Sequence, residues 1–224
     1  GDFVYAEGTS LGGDDGIAVA YILAIMDSDD IAHPRIEAVI TTDEEIGMEG
    51  ATAIDLSMLK AKRMMNIDSE EEGILLTSCA GGARIDCNIP VVREDKEGVF
   101  YHIKVGGLLG GHSGTEINKE RGNAIKMLGR ALHMISKEMS IQIADLSGGE
   151  KDNAIPREAE AVVFVEAEQE SQLVELVKKI ESVLKNENVT KEKELYIKAS
   201  NVGVSVKNVL TKEATKRVTD FLMI

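Results

Sequence analysis

The chain has 224 residues, 43% apolar and 29% charged, which is enough for one large domain or two small ones with real cores and excludes collagen-like, disordered and disulfide-stapled architectures. Its net charge of −14 argues against a nucleic-acid partner, because phosphate binding needs clustered Lys and Arg. The charge is also unevenly spread: residues 1–88 hold 18 acids against 5 bases, whereas the remaining 136 residues hold 21 against 20. Such concentration is what a cation site requires, since hard or borderline dications take carboxylate oxygens.

In chain order, a Gly-rich turn at Gly12-Gly13-Asp14-Asp15-Gly16 leads into Ile17–Met26, an apolar run that reads as a helix packed inside an α/β layer. That run is about half the roughly 20 residues a membrane span needs, and no leader-like segment opens the chain, so neither a membrane partner nor export is expected and a cytoplasmic location is. Ile36–Thr42 reads as a strand ending in the acidic turn Asp43-Glu44-Glu45, Met48–Leu59 as a helix loosened at its start by Gly47 and Gly50, and Met64–Ile67 as a strand closed by Asp68. Met64, Met65, Met127 and Met134 read as core filler, and Cys79 and Cys87, in no metal-ligand or redox spacing, as buried reduced thiols. Acidic turns at strand ends place their loops at one edge of a mostly parallel sheet, where function in open α/β folds resides.

Beyond residue 88 the pattern changes. Strand signals at Val99–Val105, Ile141–Leu146, Ala161–Ala167 and Glu194–Ala199 alternate with helices at Lys119–Ser136 and Gln172–Leu184. The second helix rests on Leu173, Val177, Ile180 and Leu184, spaced four, three and four apart. The order β-α-β-β-α-β is that of a split βαβ, ferredoxin-like sandwich, which predicts a second domain over 89–224. A last helix is predicted at Val209–Leu222.

Taken singly, the acids carry weak signals. Asp14 alone is an N-cap signal, and Glu44 with Glu45 reads as a helix first turn. Together with Asp68 they form a carboxylate-rich set of the kind that two dications about 3.5–4 Å apart require, with one bridging acid and a neighbouring unligated Glu to take a proton from water. Zinc sites normally include imidazole, and His33, in a polar His-Pro turn, is the one histidine of residues 1–88. Either the site is purely carboxylate or its histidines lie outside this chain.

Five segments carry a resemblance: Gly8-Thr9-Ser10-Leu11-Gly12-Gly13-Asp14-Asp15-Gly16, Thr42-Asp43-Glu44-Glu45-Ile46-Gly47-Met48, Asn66-Ile67-Asp68-Ser69-Glu70-Glu71-Glu72-Gly73, Gly110-Gly111-His112-Ser113-Gly114 and Asn153-Ala154-Ile155-Pro156-Arg157-Glu158-Ala159. In kind and order they resemble the aminoacyl-histidine (carnosinase-like) dipeptidases of the metallopeptidase 20 family. The resemblance implies an α/β fold: part of a zinc-peptidase-like α/β catalytic domain over 1–88, then a ferredoxin-like lid domain over 89–224 that is incomplete at its C-terminal end. It implies that Asp14 bridges two zinc ions, that Glu44 is the general base, and that Glu45 ligates one metal and Asp68 the other. The same donors accept cobalt or manganese. A His-x-Asp motif is expected upstream and a further metal-binding histidine downstream, so the chain reads as the middle of a longer enzyme.

The resemblance also gives His112 a role. A surface-loop histidine is the plain reading, yet glycines on both sides favour close backbone approach. In the family a similar lid histidine faces a catalytic centre, often the partner subunit's, where it holds the substrate carbonyl or the oxyanion. Asn153 and Arg157 are expected on the same substrate-facing surface, and His102 and His133 as ordinary structural residues. The expected function is a dizinc dipeptidase acting on Xaa-His and related dipeptides, as a homodimer through its lid. A sister amidohydrolase removing acyl or carbamoyl groups, or a non-catalytic dimerisation module, are the alternatives.

Overall fold

Alternating and three-to-four periodicities are realised most fully in the second half of the chain. A computed structural model describes residues 4–8, 13–69, 71–79, 81, 83 and 85–224. Gly12 of the glycine-rich turn and Glu70 of the acidic run lie outside the described residues. The chain divides into two units, Gly1–Ala83 and Arg84–Ile224.

In the first unit, α1 (Gly16–Met26) begins at an N-cap on Asp15, whose carboxylate accepts from the Ala18 amide at 3.0 Å. The cap is therefore Asp15, and Asp14 is left without that task. The expectation that α1 is packed inside a layer is not met, since none of its residues is buried and Met26 is 76% exposed. α2 (Glu49–Ala53) has only five residues, not the helix expected to Leu59. The Asp55 carboxylate turns back to the Ser57 amide at 2.8 Å, a local bond that competes with helix continuation, and Ile54 is already extended. The strands expected at Ile36–Thr42 and Met64–Ile67 do not form among the described residues, because a strand exists only through a ladder partner and none of the unit's described segments supplies one. Met64 and Met65 are correspondingly exposed rather than core, as are Cys79 and Cys87.

The second unit contains β1 (Arg93–Gly106), β2 (Gly111–His112), α3 (Ala124–Glu138), β3 (Gln142–Gly148), β4 (Ala154–Ile155), β5 (Ala159–Val165), α4 (Glu170–Glu187), β6 (Tyr196–Leu210) and α5 (Lys212–Phe221). The four long strands form one antiparallel sheet in the order β3-β5-β1-β6, the ferredoxin-like arrangement expected from the βαββαβ order. α4 buries Leu173, Val177, Ile180 and Leu184, the four positions of its apolar stripe, and α3 buries Met127, Leu128, Ala131, Leu132 and Ile135. These helices cover one sheet face, where Ile103, Val105, Ile143, Val163 and Ile197 complete the core.

The opposite face holds a smaller cluster built on Phe100 and Phe164, packed edge to face with centroids 5.7 Å apart. The ammonium groups of Lys96 and Lys207 lie over these rings at 5.9 and 5.7 Å, so their stems cover apolar surface while the charges reach water. α3 starts at Ala124, five residues later than the sequence pattern alone suggests, and is capped by Asn123, whose side chain accepts from the Lys126 amide at 3.1 Å. Asn123→Ala is expected to lower the stability of this unit by about 1 kcal/mol, readable as a shift in a urea midpoint at unchanged slope.

Candidate active site

The four acids of the expected centre are all exposed and lie in loops of the first unit. Asp14 stands just ahead of α1, and its peptide bond to Asp15 is cis. Glu44 and Glu45 lie in a closed turn: the Glu44 carbonyl accepts from the Gly47 and Met48 amides, each at 3.1 Å, and the Asp43 carbonyl accepts from Met48 at 2.9 Å. Asp43 and Met48 take the left-handed conformation at φ 62° and 58°. Gly50 does more than loosen the following helix. A Cβ there would lie 2.5 Å from the Thr42 carbonyl oxygen, so only glycine lets this turn close on itself. Asp68 follows Ile67 directly, whose carbonyl accepts from the Ser69 amide at 3.0 Å.

Carboxylates of this number suit divalent cations, but the described residues do not by themselves complete a centre. Among the described residues no group of three or more His, Cys, Asp or Glu side chains stands where it could hold a metal ion. The one imidazole of the unit, on the exposed His33, has its Nδ1 2.7 Å from the Pro34 carbonyl oxygen.

In the second unit the structure brings His112 and Asn153 together. His112 lies on the two-stranded ribbon β2–β4, where it pairs with Ala154, and Asn153 stands in the turn just ahead of β4, its carbonyl accepting from the Ser113 amide at 2.8 Å. Two backbone donors, the amides of Gly114 and Thr115, point at His112 Nδ1, each at 3.1 Å. An acceptor at Nδ1 assigns the proton of the neutral ring to Nε2. The exposed imidazole thus offers a single oriented N–H donor, and among the described residues Nε2 makes no hydrogen bond.

Beneath it, the His112 amide donates to Glu116 Oε2 at 2.9 Å. The Lys119 ammonium, that amide and the nearby Arg121 guanidinium hold the Glu116 carboxyl down to about 2, from an ordinary value of 4.5. A depressed folded value means the brace contributes fully above pH 4.5 and is lost only as pH falls toward about 2.

Arg157 is engaged structurally: its Nε donates to the Leu108 carbonyl at 3.2 Å and its stem lies across Gly110, which at φ +66° leaves no room for a Cβ. His102 pairs with Glu160 at 3.0 Å and His133 with Asp220 at 3.4 Å, both half-buried, in keeping with structural roles. Sequence reasoning passed over Glu116 and Arg121, since an acid and a base in a polar stretch carry no signal until a fold shows which amides and carbonyls they meet.

Comparison with known proteins reaches the same part of the chain. Residues 103–192 match the family model of the peptidase dimerisation domain of M20 peptidases. The second unit carries an M20 dimerisation domain. The resemblance to the metallopeptidase 20 dipeptidases is borne out in two further ways. The chain is 40% identical over 205 residues to the cytosol non-specific dipeptidase of Escherichia coli (strain K12), which covers 91% of this chain and 42% of that protein. It also superposes on the crystal structure of aminoacylhistidine dipeptidase from Vibrio alginolyticus with a TM-score of 0.67 and 31% identity, covering 100% of this chain and 46% of that one. The chain therefore spans less than half the length of either. No helix of the described residues is long and apolar enough to cross a membrane.

Proposed function

We propose that the protein to which this M20 chain belongs is a metal-dependent dipeptidase, and that the chain supplies metal-binding loops together with the dimerisation lid. The observation that carries this reading is the 40% identity to a dipeptidase over nine-tenths of the chain. Asp14, Glu45 and Asp68 are the carboxylate donors to a pair of zinc ions, or of cobalt or manganese, with the remaining ligands supplied from outside residues 1–224. When bound, such ions would lower the pKa of a coordinated water.

Glu44 accepts the proton of the attacking water, and its neighbour Glu45 is the ligand. His112 Nε2–H donates to the oxygen of the scissile carbonyl as negative charge develops there, and Asn153 helps hold the substrate on the same surface. Arg157 serves this surface through the loop it braces. The homodimer forms through the lid, the location is the cytosol, and the substrates are Xaa-His and related dipeptides.

The test is turnover of the full-length protein on β-alanyl-histidine and other dipeptides beside N-acyl amino acids. Preferential cleavage of the N-acyl compounds would move the assignment to an acyl-removing amidohydrolase. The 224-residue chain by itself is expected to retain little zinc after dialysis and to show no peptidase activity, because metal affinity rises steeply with completed coordination. Inductively coupled plasma analysis checks this, and a tightly held stoichiometric pair of ions would contradict it.

A further inference from the structure

Among the described residues, the most deeply buried acid belongs to none of the roles above. Glu192 is 1% exposed, and among the described residues its carboxylate meets no cationic partner. A buried carboxylate persists only where hydrogen bonds replace its lost water. Here one oxygen, Oε2, accepts from the Leu109 amide at 2.9 Å and the other, Oε1, accepts from the Gly122 amide at 2.7 Å. Leu109 and Gly122 are the two stems of the loop that carries His112. Within that loop the Arg121 guanidinium donates to the Gly110 carbonyl and the Glu116 carboxylate holds the His112 amide.

We propose that Glu192 is a positioning residue: its carboxylate closes the neck of the 109–122 loop and so fixes where His112 Nε2–H is presented. The inference rests on the reading of His112 given above. Two amide donors require two acceptors, which a carboxylate has and a carboxamide lacks, since the carboxamide nitrogen would face one amide donor to donor. Gln, although uncharged and easier to bury, is therefore not a conservative replacement.

The test is hydrogen exchange and steady-state kinetics of the full-length protein carrying Glu192→Gln. Exchange of the 109–122 segment is expected to rise about tenfold or more, with α3, α4 and β1 unchanged. A displaced donor is expected to lower kcat by about 10- to 100-fold at nearly constant KM and unchanged metal content. Glu120→Gln, which removes a neighbouring surface carboxylate paired with Lys191, is expected to change neither. If Glu192→Gln does not fold, Glu192→Asp, too short to reach both stems, carries the same expectations.

Unchanged loop exchange, or exchange raised uniformly across the domain, would overturn the clamp. Loosening of the loop without loss of kcat would overturn the positioning role, and His112→Ala separates the causes. If His112→Ala is impaired, the clamp is at fault. If it turns over normally, the reading of His112 itself has failed.

Discussion

Glu44→Gln in the full-length protein is expected to lower kcat by about 10²-fold or more, the scale of losing a general base, while metal content stays near normal. The carboxamide keeps the size of the side chain, and the turn that carries it is closed by backbone bonds to Gly47 and Met48 that do not involve the Glu44 carboxylate. Loss of turnover would therefore report proton transfer rather than collapse of the loop. Asp14→Ala is expected to act differently, stripping bound metal, because an acid shared between two ions serves both. Asp15, which caps α1, is the natural control: Asp15→Ala should weaken the helix start by about 1 kcal/mol. The contrast between kinetics and metal analysis decides the assignment. If Glu44→Gln lost metal while Glu45→Gln kept it, the two roles would have to be exchanged.

His112→Ala is expected to reduce kcat by about 10²- to 10³-fold, the scale of removing one donor to a developing oxyanion. Its effect on stability should remain within about 1 kcal/mol, because the ring is exposed and the Gly114 and Thr115 amides it leaves behind can turn to water. Were the donor to serve the partner subunit's centre, mixing inactive His112→Ala protein with inactive Glu44→Gln protein should restore part of the activity once subunits exchange, since one site of each heterodimer would keep both groups. Exchanged heterodimers with no recovered activity would exclude service across the interface. Near-normal kcat in His112→Ala alone would remove the histidine from the reaction.

How far the sequence alone reaches differs between the two units, for one physical reason. A helix satisfies its backbone from within a single segment, so a stripe such as Leu173, Val177, Ile180 and Leu184 is legible without knowledge of neighbours, and these four are the residues α4 buries. The βαββαβ order and the family resemblance were likewise readable from local alternation and from short motifs. A strand, by contrast, is completed by another segment. β1 and β6 extend to 14 and 15 residues, well past their apolar runs, because each lends the other a ladder from Arg93↔Leu210 to Gly106↔Tyr196. The same dependence leaves Ile36–Thr42 and Met64–Ile67 without strand structure in a unit whose described segments offer no ladder, and leaves the apolar α1 unburied.

Within the candidate site, residue types and order were determined by sequence: the acids at 14, 44, 45 and 68, and a histidine set among glycines. What only tertiary structure decided is which groups those residues meet. Asp15 rather than Asp14 caps α1, Arg157 is occupied by the Leu108 carbonyl, and two amides assign the proton of His112 to Nε2. Glu192 stands 70 and 83 residues from the two amides it joins, in a run of alternating Lys and Glu that gives no hint of burial. A carboxylate becomes a clamp only when the fold carries it out of water to donors that nothing else satisfies, and that pairing is a property of three-dimensional neighbours rather than of spacing along the chain.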